Sequence, residues 1–117
     1  MNIIFVGLGG ALGAMLRYEI SQLPWKGTFP VLTLATNLIG AFLIGLIAAT
    51  AEKKGISPYA VVFLKTGLCG GFTTFSTFSL EAYSMIGNGQ YVMAGGYMLL
   101  SVILCLVGVM IGMYVVR

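Results

Sequence analysis

The sequence predicts an all-α membrane protein with four transmembrane helices, the third of them broken, in a single domain spanning residues 1–117. The first indication is composition: 59% of the residues are hydrophobic, only 8% are charged, and the mean hydropathy is +1.03. Soluble domains average about 45–50% apolar and 25% charged residues, so this chain cannot form a water-facing surface. The second is the distribution of apolar residues, which fall into long stretches joined by connections too short to fold separately.

Four stretches are long enough to cross a hydrocarbon core, which takes about 20 residues. They cover residues 3–20, 31–51, 59–86 and 91–116. Pro30 and Pro58 stand at the start of the second and third stretches, where a missing backbone N–H costs least. We therefore expect these prolines to mark helix starts.

Basic residues near the helix ends give only a weak orientation signal. With four crossings, one side of the membrane carries Lys53, Lys54 and Arg117, with Lys65 nearby, and the other carries Arg17 and Lys26. Positive residues favour the cytoplasmic side, so this small asymmetry allows insertion in both directions. The hypothesis that follows is a homodimer of oppositely oriented copies, with a two-fold axis in the membrane plane.

The composition also argues against several kinds of site. The chain has no histidine, and Cys69 and Cys105 lie apart within apolar stretches, which disfavours a zinc site, a haem or a disulfide framework. The net charge of +3 comes from residues at helix ends, a pattern typical of membrane anchoring rather than of nucleic-acid binding. We expect a protein that is not an enzyme and has no nucleic-acid partner.

The third stretch is too long and too glycine-rich for one straight helix. Residues 59–86 would extend about 42 Å as a continuous helix, against a hydrocarbon core of about 30 Å. Paired glycines followed by two threonines, all poor helix formers, predict a break within residues 70–74. Backbone unwound at membrane depth must be enclosed, and its freed carbonyls are suited to a cation. The alternative is a glycine kink that only eases packing.

Aromatic and hydroxyl side chains share the stretch after the predicted break. Phe72, Phe75 and Phe78 recur every third residue, and hydroxyls interleave with them at Thr73, Ser76, Thr77 and Ser79. Phenyl rings have positive edges and hydroxyls donate hydrogen bonds, so together they can replace water around a small anion. An aromatic stripe of this spacing is also typical of core packing, and the pattern alone leaves both interpretations open.

Two other helices contribute polar groups at membrane depth. Asn37 lies in the middle of the second stretch, where a buried amide needs partners and can donate two hydrogen bonds. In the fourth stretch Tyr97, Ser101 and Cys105 recur every four residues, followed on roughly the same side by two glycines at 108 and 112. This face is suited to lining a pore or to close helix packing, as we also expect of Gly9 and Gly13.

These residues together resemble the bacterial Fluc (CrcB) fluoride channels. The resemblance covers nearly the whole chain and is carried by residues 9–18 (GGALGAMLRY), 36–42 (TNLIGAF) and 67–81 (GLCGGFTTFSTFSLE). The last motif is long and specific, and all three fall in the same order on the predicted crossings. The resemblance implies an antiparallel, dual-topology homodimer in the inner (plasma) membrane. It also implies passive efflux of cytoplasmic fluoride through two pathways, around a central structural sodium ion.

The resemblance also implies roles for particular residues. The carbonyls of Gly70 and Thr73 would coordinate the sodium, and Arg17 would lie at a vestibule unless it is only an interfacial cation. The residues that would line the fluoride pathway are Asn37, Phe75, Phe78, Thr77, Tyr97, Ser101 and Glu81. Where some relatives carry a further hydroxyl this chain has Cys105, whose thiol is a weaker donor, so its part in the pathway is left open.

Two other function classes fit four short helices. A small multidrug-type proton-coupled exporter would carry a carboxylate in the middle of its first helix, and residues 5–15 contain none. A membrane scaffold without transport activity would explain the small residues, but it would leave Asn37 and the hydroxyl run without a role. A comparison of fluoride and chloride movement separates all three classes.

Overall fold

The computed structural model describes residues 2–116, which are helical apart from short connections and contain no β-strand. We label six α-helices and one π-helical segment in chain order. They are α1 (Asn2–Ser21), α2 (Val31–Lys54), α3 (Pro58–Val61), the π segment (Val62–Cys69), α4 (Gly70–Phe72), α5 (Phe75–Gly87) and α6 (Tyr91–Val116). Helices α3 and α4 with the π segment form one continuous helical run, residues 58–72, which we call the first half-helix.

Helices α1, α2 and α6 are long and apolar enough to cross a membrane, which makes the chain a multi-pass membrane protein. Their bounds lie within three residues of the predicted stretches. The predicted third stretch is divided at residues 73–74, which confirms the break and leaves no single helix there long enough to span. A fourth crossing made from the two pieces stays a prediction. Arg117, used above in the orientation argument, lies outside the described residues.

Helix starts and ends follow local chemistry. Pro30 immediately precedes α2, and Pro58 is the first residue of α3, as predicted from their missing N–H groups. The Ser57 side chain caps α3 by accepting a hydrogen bond from the Tyr59 amide at 3.3 Å. Helix α2 ends at Gly55, whose φ of 69° is in the left-handed region that glycine adopts without strain.

Small residues bring the helices into two closely packed pairs. Helix α1 packs against the first half-helix through Gly9 and Gly13, as expected, and α2 packs against α6. A Cβ added at Gly112 would collide with the backbone of α2, and one at Gly45 with that of α6. Gly108 also contacts α2, so the C-terminal part of the α6 face serves packing rather than a pore.

The α1 contact leads to a stability prediction. A Cβ at Gly13 would lie closer to the Leu68 carbonyl oxygen and the Phe72 amide nitrogen than real Cβ atoms approach, so backbone must shift. We expect Gly13→Ala to destabilise the protein by about 1–3 kcal/mol, the usual cost of overpacking. Thermal unfolding in detergent measures this effect. Gly7→Ala, on the same helix with no atom near the added methyl, is the matched control; equal melting temperatures for the two variants would contradict the packing described.

A third contact places α5 on the N-terminal half of α6. Its core contains Phe78, Ala82 and Met85 from α5 with Ala94 and Tyr97 from α6. This packing holds the aromatic residues that follow the break against the polar residues of α6. The break, α2 and α6 therefore meet at one place in the fold.

Candidate functional site

The helix break consists of two extended residues. Thr73 has φ −82° and ψ 157°, and Thr74 has φ −146° and ψ 114°. Helical backbone on both sides therefore loses its regular hydrogen bonds for about one turn. The carbonyl end of the first half-helix and the amide end of α5 meet here, and helix dipoles favour a cation at the former and an anion at the latter.

The Asn37 side chain, on α2, forms hydrogen bonds with the backbone of the break. Its Oδ1 accepts a hydrogen bond from the Thr74 amide at 2.8 Å, and its Nδ2 donates to the Thr74 carbonyl at 3.1 Å. One side chain thus satisfies both backbone groups of the residue at the centre of the break. The sequence predicted that a buried amide here needs partners and can donate two hydrogen bonds. In the structure one of the two amide N–H groups donates to the Thr74 carbonyl, and the other takes no part in this contact.

The threonines of the break satisfy further backbone groups. The Thr74 side chain accepts a hydrogen bond from the Thr77 amide at 3.1 Å and so caps the N-terminus of α5. The Thr73 hydroxyl donates to the Cys69 carbonyl at 2.9 Å, and its amide donates to the same oxygen at 3.0 Å. The consecutive threonines therefore close both ends of the break, which explains why it falls there and not at Gly70 or Gly71.

Arg17 binds the carbonyl end of the first half-helix. Its Nε donates a hydrogen bond to the Gly71 carbonyl at 3.1 Å, and its side chain is half-buried. A guanidinium at a helix C-terminus is stabilised both by the freed carbonyl and by the helix dipole. Arg17 therefore lies beside the break, and its role at a vestibule stays a prediction.

The carbonyls of Gly70 and Thr73 lose their helical donors. In an unbroken helix they would accept from the amides of Thr74 and Thr77, but these amides are bonded to Asn37 Oδ1 and Thr74 Oγ1. Freed carbonyl oxygens are hard ligands of the kind that sodium takes. The donor set of one copy thus fits a hard cation but offers too few oxygens to enclose it.

A groove of about 540 Å³ opens beside the break. Helix α2, the first half-helix, α5 and α6 all contribute to its walls. Six of the residues predicted for the ion sites line it: Asn37, Gly70, Thr73, Phe75, Phe78 and Ser101. The fold therefore brings most of the predicted site into one concave surface.

Three aromatic rings lead away from the groove in series. The Phe75 ring is 78% exposed, and its centroid lies 5.5 Å from that of Phe78. The Phe78 ring in turn lies 5.0 Å from the ring of the fully buried Tyr97. Both contacts are tilted, with interplanar angles of 43° and 54°. The prediction that Phe72 continues this spacing is wrong, because the break interrupts the helical register and Phe72 is buried on the first half-helix.

Ser101 brings an unpaired hydroxyl to the groove. The residue is only 6% exposed, and its Oγ has no hydrogen-bond partner among the described residues. Buried hydroxyls in proteins almost always have a partner, either protein or water. This hydroxyl is therefore a hydrogen-bond donor without a protein partner beside the groove.

A carboxylate lies at the far end of the aromatic series. Glu81 of α5 accepts a hydrogen bond from the Tyr97 hydroxyl at 2.9 Å on Oε1 and from the Thr33 hydroxyl at 3.0 Å on Oε2. Both donors face one half-buried carboxylate, which fixes its orientation. Thr33 was missed by the sequence reasoning. Its signal was the spacing of one helical turn from Asn37 on the same helix.

Four predicted residues lie outside the groove: Tyr97 and Glu81 at the far end of the aromatic series, and Thr77 and Arg17. Thr77 takes part through its backbone amide, which is capped by Thr74, and its side chain does not line the groove. Arg17 contacts the first half-helix at Gly71 and also lies outside the groove. The described residues contain no group of three or more His, Cys, Asp or Glu side chains suited to a metal ion. The site offers hydrogen-bond donors, ring edges and backbone carbonyls.

Comparisons with known proteins agree on one family. The family model described as "CrcB-like protein, Camphor Resistance (CrcB)" matches residues 4–113. The chain is 42% identical over 121 residues to a "Fluoride-specific ion channel FluC" of Roseiflexus sp. (strain RS-1), covering 100% of this chain and 98% of that protein. It is 45% identical over 119 residues to the protein of the same name from Cereibacter sphaeroides (strain ATCC 17029 / ATH 2.4.9), covering 99% and 94%. A third relative of that name, from Helicobacter acinonychis (strain Sheeba), is 41% identical over 124 residues.

Proposed function

The chain belongs to the CrcB-like family, and on this premise we propose that it is a fluoride-selective ion channel through which cytoplasmic fluoride leaves passively. Relatives that match over nearly the full length are named as fluoride-specific ion channels. An ion channel is not an enzyme, and an inner (plasma) membrane location follows from the same activity. Fluoride enters cells as its neutral acid and accumulates as the anion, so a passive pathway is enough to release it.

The observation that carries this proposal is the groove with its unpaired Ser101 hydroxyl. A small anion gives up its hydration shell only where the wall offers comparable donors. Asn37, Phe75 and Ser101 all line this groove, and they contribute an amide, an exposed phenyl ring and a hydroxyl. Where a second copy closes this groove into a narrow pathway, larger halides would fit its aromatic and hydroxyl lining poorly, which favours fluoride through both size and hydrogen bonding.

The series of three aromatic rings indicates the course of the proposed pathway through the protein. From the groove, Phe75 and Phe78 lead to Tyr97, and the Tyr97 hydroxyl leads to Glu81 and Thr33. Thr77, one turn before Glu81 on α5, completes the set proposed from the resemblance. We assign Thr33 to the same end of the pathway, because it holds the second oxygen of the Glu81 carboxylate.

We further propose that two copies assemble as an antiparallel homodimer. The large exposed Phe75 ring and the open groove leave the pathway walled on one side only in a single chain. Unwound backbone at membrane depth must be enclosed by protein or by a water-filled cavity, and a second copy would supply the missing wall. The weak charge asymmetry is consistent with copies of opposite orientation. A single cysteine introduced at Asn88, an exposed residue of the α5–α6 connection, should react with an impermeant reagent both in intact cells and in inverted membrane vesicles; labelling in only one of the two preparations would refute the antiparallel arrangement.

The proposed dimer suggests where a sodium ion would be held. The Gly70 and Thr73 carbonyls supply two oxygens from each copy, and two copies supply a set that a sodium ion accepts. The ion would neutralise the carbonyl ends of both broken helices, which are otherwise repulsive to one another. It would serve assembly rather than chemistry.

Removing sodium gives a test of this site. We expect purification in N-methyl-D-glucamine to lower fluoride flux at least about tenfold, since a loss of 1.4 kcal/mol in the assembled state is enough for that change. Sodium added back should restore the flux, and the same concentration of N-methyl-D-glucamine salt should not. Full flux in protein shown by elemental analysis to be free of sodium would overturn the assignment.

The function itself is tested in lipid vesicles. Vesicles loaded with potassium fluoride or potassium chloride, with valinomycin to carry potassium, are followed with ion-selective electrodes. We expect rapid fluoride release and chloride release no faster than from protein-free vesicles, with no need for a proton gradient. Equal passage of both halides would defeat the selectivity, dependence on a proton gradient would indicate an exporter, and no release would indicate a scaffold.

A further inference from the structure

The connection between α1 and α2, residues 22–30, has no regular secondary structure but is held in place by a tryptophan. The Trp25 indole Nε1 donates a hydrogen bond to the Phe29 carbonyl at 2.8 Å, and the Val31 amide donates to the same oxygen at 2.8 Å. A Cβ added at Gly27 would lie 3.0 Å from the Trp25 ring nitrogen, so the indole also covers this glycine. The backbone of Phe29 is therefore fixed both by the connection and by the start of α2.

The Phe29 side chain packs against Tyr97 of α6. The two ring centroids are 5.5 Å apart and the rings are inclined at 81°, which is an edge-to-face contact. Phe29 is partly buried and also packs against the core that α5 forms with α6. The fully buried Tyr97 ring contacts Phe78 as well, at 5.0 Å. Two aromatic rings, one from α5 and one from the connection, therefore support the Tyr97 ring.

This support determines where the Tyr97 hydroxyl points. A tyrosine side chain turns about two bonds, and close packing selects one of its rotamers. In the selected rotamer the hydroxyl donates to Glu81 Oε1 at 2.9 Å, while the Thr33 hydroxyl donates to the other carboxylate oxygen at 3.0 Å. Loss of the Phe29 ring would leave a space beside Tyr97, into which the ring can turn. The hydroxyl would then no longer be held at Glu81.

We propose that Phe29 is a positioning residue of the fluoride pathway, because its ring holds Tyr97 in the orientation that binds Glu81. This inference rests on the pathway proposed above and extends it to a connection between helices. Phe29 does not line the groove, so it acts through Tyr97. With the hydroxyl in place, each oxygen of the Glu81 carboxylate has a donor. Without it, one oxygen loses its donor, and the unshielded negative charge opposes an approaching anion.

The experiment is a double-mutant cycle measured as fluoride release from vesicles per assembled protein. We expect Phe29→Leu to lower the release about fivefold, which corresponds to about 1 kcal/mol. Phe29→Tyr, which keeps the ring, should stay within twofold of wild type. Tyr97→Phe keeps both rings but lacks the hydroxyl, and should itself lower the release. In that background Phe29→Leu should change the release by less than twofold, because no hydroxyl remains to be positioned.

Phe5→Leu is the matched control. Phe5 is also a partly buried phenylalanine in contact with a tyrosine, since its ring centroid lies 5.3 Å from that of Tyr59, and neither residue lines the groove. Its release should stay within twofold of wild type. Trp25 is the single tryptophan of the chain, and its emission spectrum should be unchanged in Phe29→Leu. If Phe29→Leu does not assemble by size-exclusion chromatography, Phe29→Met takes its place.

The outcomes separate this inference from the channel function. Fluoride release by the wild type tests the channel alone, and its absence defeats that proposal without reference to Phe29. In a conducting wild type, normal release by Phe29→Leu would overturn the positioning role. Normal release by Tyr97→Phe would also overturn it, since the hydroxyl would then have no part in the pathway. Equal losses on adding Phe29→Leu to the wild type and to Tyr97→Phe would show that the ring serves only stability.

Discussion

Replacing Asn37 by alanine is expected to lower fluoride flux by about a hundredfold or more. The Asn37 side chain is the partner of both the amide and the carbonyl of Thr74. Without it, two half-buried backbone groups lose their hydrogen bonds, at about 1–3 kcal/mol each. A total of about 3 kcal/mol changes the population of the native break roughly a hundredfold. The substitution also removes the side-chain amide from the wall of the groove.

Vesicle flux and size-exclusion chromatography measure this effect together. Asn37→Asp keeps an acceptor for the Thr74 amide but removes the donor to its carbonyl, so we expect an intermediate loss. Thr50→Ala is the matched control on the same helix, because the Thr50 hydroxyl bonds only to the Leu46 carbonyl one turn earlier. Its flux should stay within twofold of wild type. An Asn37→Ala protein that conducts normally would show that the break does not depend on this amide.

Replacing Phe75 by isoleucine is expected to lower fluoride flux at least about tenfold. The substitution keeps an apolar side chain but removes the positive ring edge, whose aromatic interactions are worth about 0.5–1.5 kcal/mol. Because the Phe75 ring is exposed in one copy, its loss costs little core packing. Phe78→Ile should reduce flux at least as strongly, because that ring also supports Tyr97. Phe78 is buried at 9% exposure, so part of its effect is lost packing.

The comparison of these two variants distinguishes ring chemistry from packing. Both are measured as fluoride flux per assembled protein, with melting temperature as the second readout. Phe75→Ile should leave the melting temperature close to wild type, and Phe78→Ile should lower it. Tyr83→Ile, an exposed aromatic on the same helix that does not line the groove, is the control and should conduct normally. Unchanged flux in both phenylalanine variants would remove the aromatic rings from the pathway.

The sequence predicted the helices well because apolar length is a strong signal at membrane depth. Helix α6 has the predicted bounds, and α1 and α2 differ from the predictions by at most three residues at any end. Pro30 and Pro58 marked helix starts, because proline has no backbone N–H to donate within a helix. The break was also predictable, since the stretch from 59 to 86 exceeds the thickness of the membrane. These features depend on local chemistry and on the bilayer.

The partners of the polar side chains could not be predicted, because they depend on tertiary contacts. Asn37 was expected to face an ion, but most of its hydrogen-bonding capacity holds Thr74, which lies 37 residues further along the chain. Arg17 binds a carbonyl 54 residues away. Thr33 was not predicted, because its spacing of one helical turn from Asn37 gains meaning only through its hydrogen bond to Glu81, 48 residues further along the chain. Periodicity also failed at Phe72, because a helical spacing has no meaning across an extended pair of residues.

The two hydrogen bonds between the Asn37 side chain and the Thr74 backbone have a consequence for how the protein is synthesised and inserted. Asn37 belongs to α2, which leaves the ribosome and enters the bilayer before the broken segment is synthesised. The amide that receives the unwound backbone is thus already in the membrane when that backbone arrives. A chain reordered so that residues 58–87 emerge ahead of α2 would expose two peptide groups to lipid during insertion. Such a circular permutant should be recognised by quality-control proteases, even though its finished contacts would be the same.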